Sequence, residues 1–233
     1  MHLRISPPHT VASIILIPSS NLILLPITAN IQRCYPYHHR TMATGKPTDV
    51  PTLASIGVKN TVIREAPGVK LSPHQKVLVG SVLDLFEASP TLRHLSLWRE
   101  GATFADPLTE ATGFSRYAAQ WYGLASLFRP VAIQRHEVLS AGDPIEVALS
   151  NRYVVRGVQT AQTIDSVVRI WVGPEDGKIV RVEDRWDGKD QPENIVMEAF
   201  RKLNAVTVPM VVKVPKDEEE DMKMKAEREG KSS

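Results

Sequence analysis

The feature that most constrains this chain is a change of side-chain period at Arg129-Pro130. Before it, apolar residues recur every three or four positions; after it, they recur every two. Upstream, Ser72-Pro73-His74-Gln75 has the form of a helix start, with Ser as N-cap, Pro at the first helical position and Gln placed to reach back. Leu78, Val82, Leu85 and Phe86 then make one apolar face, and Ser89-Pro90 stops the helix. A short apolar turn over Leu92–Trp98 leads to a brief strand, Gly101–Pro107, ending in an Asp-Pro turn. A second helix is predicted from Gly113 to Phe128, with Phe114, Tyr117, Ala118, Trp121, Leu124, Ala125 and Phe128 in a stripe. Downstream, strands are predicted over Val131–Ser140, Ile145–Val155, Gln159–Val172 and Lys178–Trp186, the last two joined by the turn Pro174-Glu-Asp-Gly177. A final helix fits Pro192–Asn204. Helices followed by a meander of long strands predict an α+β fold, with helices packed on one face of a curved antiparallel sheet.

Charge divides the 233 residues unevenly. Residues 1–48 carry Arg4, Arg33, Arg40 and Lys46 and no acid, whereas 216–233 hold five bases against seven acids. The stretch between them, 49–215, has 19 of each and is neutral. A nucleic-acid partner needs Lys and Arg clustered on the folded part, and none is expected here. The apolar runs Val11–Ile17 and Leu22–Ile27 fall well short of the ~20 residues that span a bilayer. Residues 1–45 read as an N-terminal extension: a transit peptide, or a stretch upstream of a start at Met42-Ala43-Thr44. The compartment expected is accordingly cytoplasmic, or mitochondrial if 1–45 acts as a transit peptide. Residues 46–70 read as a linker or arm, 71–206 as the domain, and 207–233 as an extended segment and a charged tail, disordered or a frayed helix.

Chemistry-bearing motifs are sparse. There is no Gly-rich phosphate loop, His-Glu-x-x-His, Cys-x-x-Cys or Gly-x-Ser-x-Gly, so no cofactor and no metal are expected. Cys34 has no partner for a disulfide, and adjacent His38-His39 makes a poor metal site.

The order of elements, with Phe104-Ala-Asp-Pro107 before a helix opening Gly113-Phe-Ser-Arg-Tyr117, resembles the nuclear-transport-factor-2-like superfamily and its SnoaL-like domains. The resemblance takes in the strand of His136, the strand reaching Tyr153, and Gly177-Lys178-Ile179 leading to Asp184-Arg185-Trp186; it covers about residues 71–190 and is nearest to fungal and plant members. It implies a cone of strongly bent sheet closed by helices around a pocket, and a homodimer formed through the convex face. Superfamily members include enzymes, carriers and adaptors, so the fold leaves chemistry open.

The candidates are the polar and aromatic groups able to face such a pocket. His136, Asp184 and Tyr153 are the catalytic candidates; Tyr117, Trp121, Tyr122, Arg169 and Trp186 join them as pocket residues. His136 would be a general base if inward, and a hydrogen-bonded structural residue otherwise. Asp184 follows Val180 and Val182, so burial would raise its pKa, unless Arg169 or Arg185 pairs with it. Asp106 reads as a cap of the turn before Pro107. Relatives suggest two working sets: Asp–Arg–Asp, needing Asp106 or Asp165 beside Arg169 and Asp184, and Asp184–His136–Tyr153. The expected function is binding of a small apolar or aromatic molecule, with cofactor-free isomerase, dehydratase or cyclase chemistry. The alternative is a non-catalytic carrier or dimerising scaffold.

Overall fold

The computed structural model describes residues 50–158, 160–186, 199–200 and 212–230. Helices α1 (Leu53–Ile56), α2 (Pro73–Phe86) and α3 (Leu92–Ser96) precede strands β1 (Trp98–Asp106) and β2 (Thr109–Thr112). Helix α4 (Phe114–Leu127) leads into β3 (Phe128–Ser140), β4 (Ile145–Val155), β5 (Ala161–Val172) and β6 (Ile179–Trp186), and α5 (Glu218–Gly230) follows. The strands form one open, strongly curved sheet in the order β2-β1-β6-β5-β4-β3, with the helices on one face. Irregular registers in the β1–β6, β3–β4 and β5–β6 pairings bend it.

One expectation needs correcting: the sheet is mixed, because β1 pairs parallel with β6 while every other pair is antiparallel. Periodicity shows that a segment is a strand but not which distant strand it joins. Nor did it show β2, whose four residues bury only Ala111 and are too few for a pattern.

Helix α2 begins as its residues dictate, with Ser72 and Gln75 forming a reciprocal cap. It is buried from Val77 to Phe86 and forms the centre of the helical layer. A methyl group on Gly80 would meet the Asn60 carbonyl at 2.8 Å, so glycine there lets the arm that follows α1 lie directly on the helix. One turn on, the buried Asp84 collects that arm: it accepts from Lys59 N (2.8 Å), Asn60 N (3.0 Å) and Asn60 Nδ2 (2.8 Å), and from His94 Nε2 at 3.0 Å. Of the two readings of this segment, linker or arm, the bonds to Asp84 are those of an arm tied to the domain. It continues along β3, where Val138 N donates to Arg64 O and Ala66 N to Val138 O.

Helix α2 runs out into Ala88, which adopts a left-handed backbone with φ of 55°. Such a conformation costs an L-residue about 1 kcal/mol relative to glycine. Ala88→Gly should therefore raise unfolding stability by about 0.5 kcal/mol at most, after the entropy of the freer unfolded chain is counted. Urea denaturation checks this, and a destabilised variant would show that the strain is not there.

The charged tail is also corrected. Residues Glu218–Gly230 are helical and docked, and Asp221 is buried. Its carboxylate accepts from Leu92 N and from the Tyr122 hydroxyl, both at 2.7 Å. Arg93 pairs with Glu218 at 3.0 Å, and Arg228 donates to Pro90 O at 2.8 Å. A helix held by polar contacts has no apolar stripe to read. Of the helix expected at Pro192–Asn204, Ala199 and Phe200 are helical and buried; its remainder, the extension 1–45 with Cys34 and His38-His39, and residues 207–211 lie outside the described residues. No helix among the described residues is long and apolar enough to cross a membrane.

Candidate functional site

The parallel pairing that periodicity cannot show is the one that builds the site. Its register sets Phe104 beside Val182 and Ala105 beside Glu183, and the next residue of each strand is an acid, Asp106 and Asp184. Phe104 and Val182 are buried against the helices, and side chains two residues on share that face. Two carboxyl groups therefore come to one end of the core, near enough for the charge of Asp106 to act on Asp184. Both line a small cavity of about 20 Å³. Phe86 of α2 and Gln120, Trp121 and Leu124 of α4 close it from the helical side; Tyr153 of β4 and Trp186 close it along the sheet.

The walls are aromatic. Trp121 meets Phe86 edge-on at 5.3 Å and Phe104 at 4.6 Å between ring centroids. Phe200 packs on Phe128 (4.6 Å), Tyr153 (5.1 Å) and Trp186 (5.7 Å), which makes it the plug on the other flank. The free space equals roughly one water molecule. A larger occupant has to displace a side chain, and Phe200 is the wall that belongs neither to the sheet nor to α2 or α4.

In so dry a setting the ionised carboxylate is penalised. Burial pushes Asp184 up to about 6; the Ser166 hydroxyl and the Trp186 indole oppose this, and the neighbouring Asp106 charge adds to it. Trp186 Nε1 donates to Asp184 Oδ2 at 2.8 Å, while Oδ1 has no hydrogen-bond partner. Asp106 is also pushed up to about 6 by burial, against bonds from Leu108 N (2.8 Å) and Thr109. It thus caps its turn and lines the cavity at once. Burial likewise drives the Tyr153 hydroxyl upward, with the Asp184 and Asp106 charges adding to it. Gln120 is 3% exposed and its Nε2 has no partner either.

Of the residues named from sequence, Trp121, Tyr153, Asp184 and Trp186 line this cavity. Tyr117 and Tyr122 are buried in the same helix but are used elsewhere. Tyr117 stacks on Trp98 at 5.0 Å and donates to Arg99 O, and Tyr122 holds Asp221. His136 is outside the cavity: its Nε2 accepts from Arg64 N of the arm at 3.2 Å, and burial lowers its pKa. Arg169 pairs with Glu146 at 2.8 Å, on the sheet face opposite to the buried Ser166, Val168 and Ile170. The Asp–Arg–Asp set is therefore not assembled, since Arg169 and the exposed Asp165 point away from Asp184. The Asp184–His136–Tyr153 set lacks its histidine at the cavity.

Phe86, Phe104, Asp106, Gln120, Leu124 and Phe200 complete the lining without having been named as pocket residues. Gln120 had a legible signal, being a polar residue one turn from both Tyr117 and Leu124 on the buried stripe of α4. Among the described residues, no three His, Cys, Asp or Glu side chains gather in a way that would hold a metal ion.

The architecture is the one that the resemblance to the nuclear-transport-factor-2-like superfamily implies, with the parallel β1–β6 pair as the difference from the expected sheet. No family model and no curated protein matches the chain. It is similar to several solved structures. One is an NTF2-like protein of unknown function from Exiguobacterium sp. 255-15, at 19% identity and a TM-score of 0.40, covering 48% of this chain and 98% of that one. Another is a protein with a ketosteroid isomerase-like fold from Catenulispora acidiphila DSM 44928, in complex with trimethylamine, at 14% identity and a TM-score of 0.39 over 46% of this chain and 82% of that one. A third is an NTF2-like protein from Burkholderia xenovorans LB400, at 18% identity and a TM-score of 0.41 over 47% and 88%.

Proposed function

We propose that this chain binds a small apolar or aromatic molecule in the cavity and moves a proton on it without a cofactor, through the carboxyl pair Asp106–Asp184. The observation that carries this is the pair itself: two adjacent acids raised to about 6 by burial, one with an unpartnered oxygen, walled by aromatic rings. A base serves best when its proton affinity lies near the working pH, and burial brings these carboxylates there. Asp184 Oδ1 takes the proton from a carbon or hydroxyl of the ligand, while Trp186 holds Oδ2 in place. Charge then develops on the ligand, and the free amide of Gln120 donates to an oxygen that carries it. Returning the proton to another carbon is isomerisation; delivering it to a departing hydroxyl is dehydration. Two close acids titrate as a pair, so the working pKa values belong to both.

The small free volume favours a second reading, in which the core is simply filled and the domain serves as a non-catalytic scaffold. Titration with 2-naphthol, followed by quenching of tryptophan emission, separates them. We expect saturable one-to-one binding, tightened about tenfold in Phe200→Ala by the space released. Absence of saturable binding to both proteins would leave only the scaffold.

A further inference from the structure

Phe128 touches the first cavity's Tyr153 and Phe200, and it also walls a second, wider cleft of about 280 Å³. This cleft lies between the turn after α2, the start of β3 and helix α5. On its wall the buried His94 is locked in a chain: Nε2 donates to the ionised Asp84 at 3.0 Å, and Nδ1 accepts from Thr91 Oγ1 at 2.8 Å. Its charges do not balance. Lys59, Arg129, Lys225 and Arg228 line it against only Glu87 and Glu229.

The acids are already committed. Glu229 pairs with Lys59 at 2.9 Å, and Glu87 accepts from Asn60 Nδ2 at 2.9 Å and from Ile133 N at 3.2 Å. Arg228 is taken up by the Pro90 carbonyl and lies over the Tyr122 ring at 5.5 Å. Arg129 and Lys225 remain, both half-buried; neither forms an ion pair within 4.0 Å or a hydrogen bond among the described residues, and Lys225 only shares the field of Glu229, which is already paired with Lys59. They stand on different elements, Arg129 in β3 and Lys225 in α5, with Ala125, Phe128 and Val131 as the apolar surface of the same cleft. Surplus positive charge beside apolar side chains draws an anion that brings its own apolar body, because the reduced dielectric strengthens the attraction.

We propose that this cleft binds a small organic anion, with its charged end between Arg129 and Lys225 and its apolar body on Phe128 and Val131. Its occupant would bridge the sheet and α5, so binding fastens the helix. The inference is independent of the proton-transfer reading, since no lining residue of the first cavity holds the anion.

The test titrates the full chain at constant ionic strength with benzoate and, separately, with inorganic phosphate, following hydrogen exchange of residues 218–230. Saturable binding that slows this exchange by about fivefold is expected. Arg129→Gln combined with Lys225→Gln should weaken binding by about tenfold, and Asp184→Asn should leave it unchanged. Benzoate binding identifies a carboxylate site, whereas binding of phosphate but not benzoate would overturn the part of the proposal that seats an apolar body on Phe128 and Val131. The proposal fails if neither probe saturates, if the double variant binds as well as the parent, or if Asp184→Asn abolishes binding, which would put the probe in the first cavity.

Discussion

Asp184→Asn should slow protein-catalysed exchange of the α-protons of 2-tetralone in deuterium oxide by about a hundredfold or more. The ketone is a plain carbon acid of aromatic character, so the readout asks only whether a proton moves. Nuclear magnetic resonance follows the loss of the α-proton signal directly. The same variant should gain stability, and the sign follows from the raised pKa. An unfolded Asp titrates near 3.8 and the folded one at about 6, so the native state holds the proton more tightly. Burial therefore costs nothing below about pH 4; its cost grows as pH rises and is complete above about pH 6. A rise of that size is equivalent to about 2–3 kcal/mol, so Asn should be more stable than Asp by about that much at pH 7.5 and nearly equal to it at pH 4. Asn keeps an oxygen for the Trp186 indole. Undiminished exchange with a parallel gain in stability would make Asp184 a buried liability and not a base. A loss of both would mean that the carboxylate is structural.

The largest loss of stability should come from Asp84→Ala, at about 3–5 kcal/mol in urea denaturation. The carboxylate is fully buried and receives bonds from two backbone amides, the Asn60 side chain and His94. Removing it strands the two backbone amides and His94 and leaves Asn60 Nδ2 with its bond to Glu87 alone. Burial alone would raise the Asp84 pKa, but the His94 bond and the three bonds from Lys59 and Asn60 together outweigh that and lower it. Its contribution is thus present above the unfolded value of 3.8 and is lost as pH falls through the lower folded one. Asp84→Asn, which keeps the shape and loses the charge, should cost less and should flatten the acid limb of the stability curve. A loss below about 1 kcal/mol in Asp84→Ala would show that water replaces the carboxylate there.

Local pattern carried much of this. Ser72, Pro73 and Gln75 announced α2 to the residue, and the alternation from Ile145 to Val155 placed Tyr153 on the buried face. What local pattern cannot carry is partnership. Asp106 reads as a turn cap because its bond to Leu108 N is two residues away, whereas its neighbour Asp184 arrives from the far end of the domain. His136 has the spacing of an inward residue, yet β3 is covered there by the arm, and its imidazole serves Arg64. Arg169 illustrates parity: Ser166, Val168 and Ile170 take the buried positions of β5, so the odd-numbered residue between them faces out. Helix α5 escaped because polar docking leaves no hydrophobic period, and Asp221 in a run of acids looks like any solvated carboxylate.

The β1–β6 pairing also bears on when the site comes into being. Its strands are separated in the chain by α4 and four other strands, so this contact closes a long loop and is among the slower ones to form. Until β6 has been made and has docked, Asp106 has no second acid near it. An emerging or truncated chain can therefore carry every helix of the domain's first half and still lack the paired acids. Here the chemistry waits for the topology to finish.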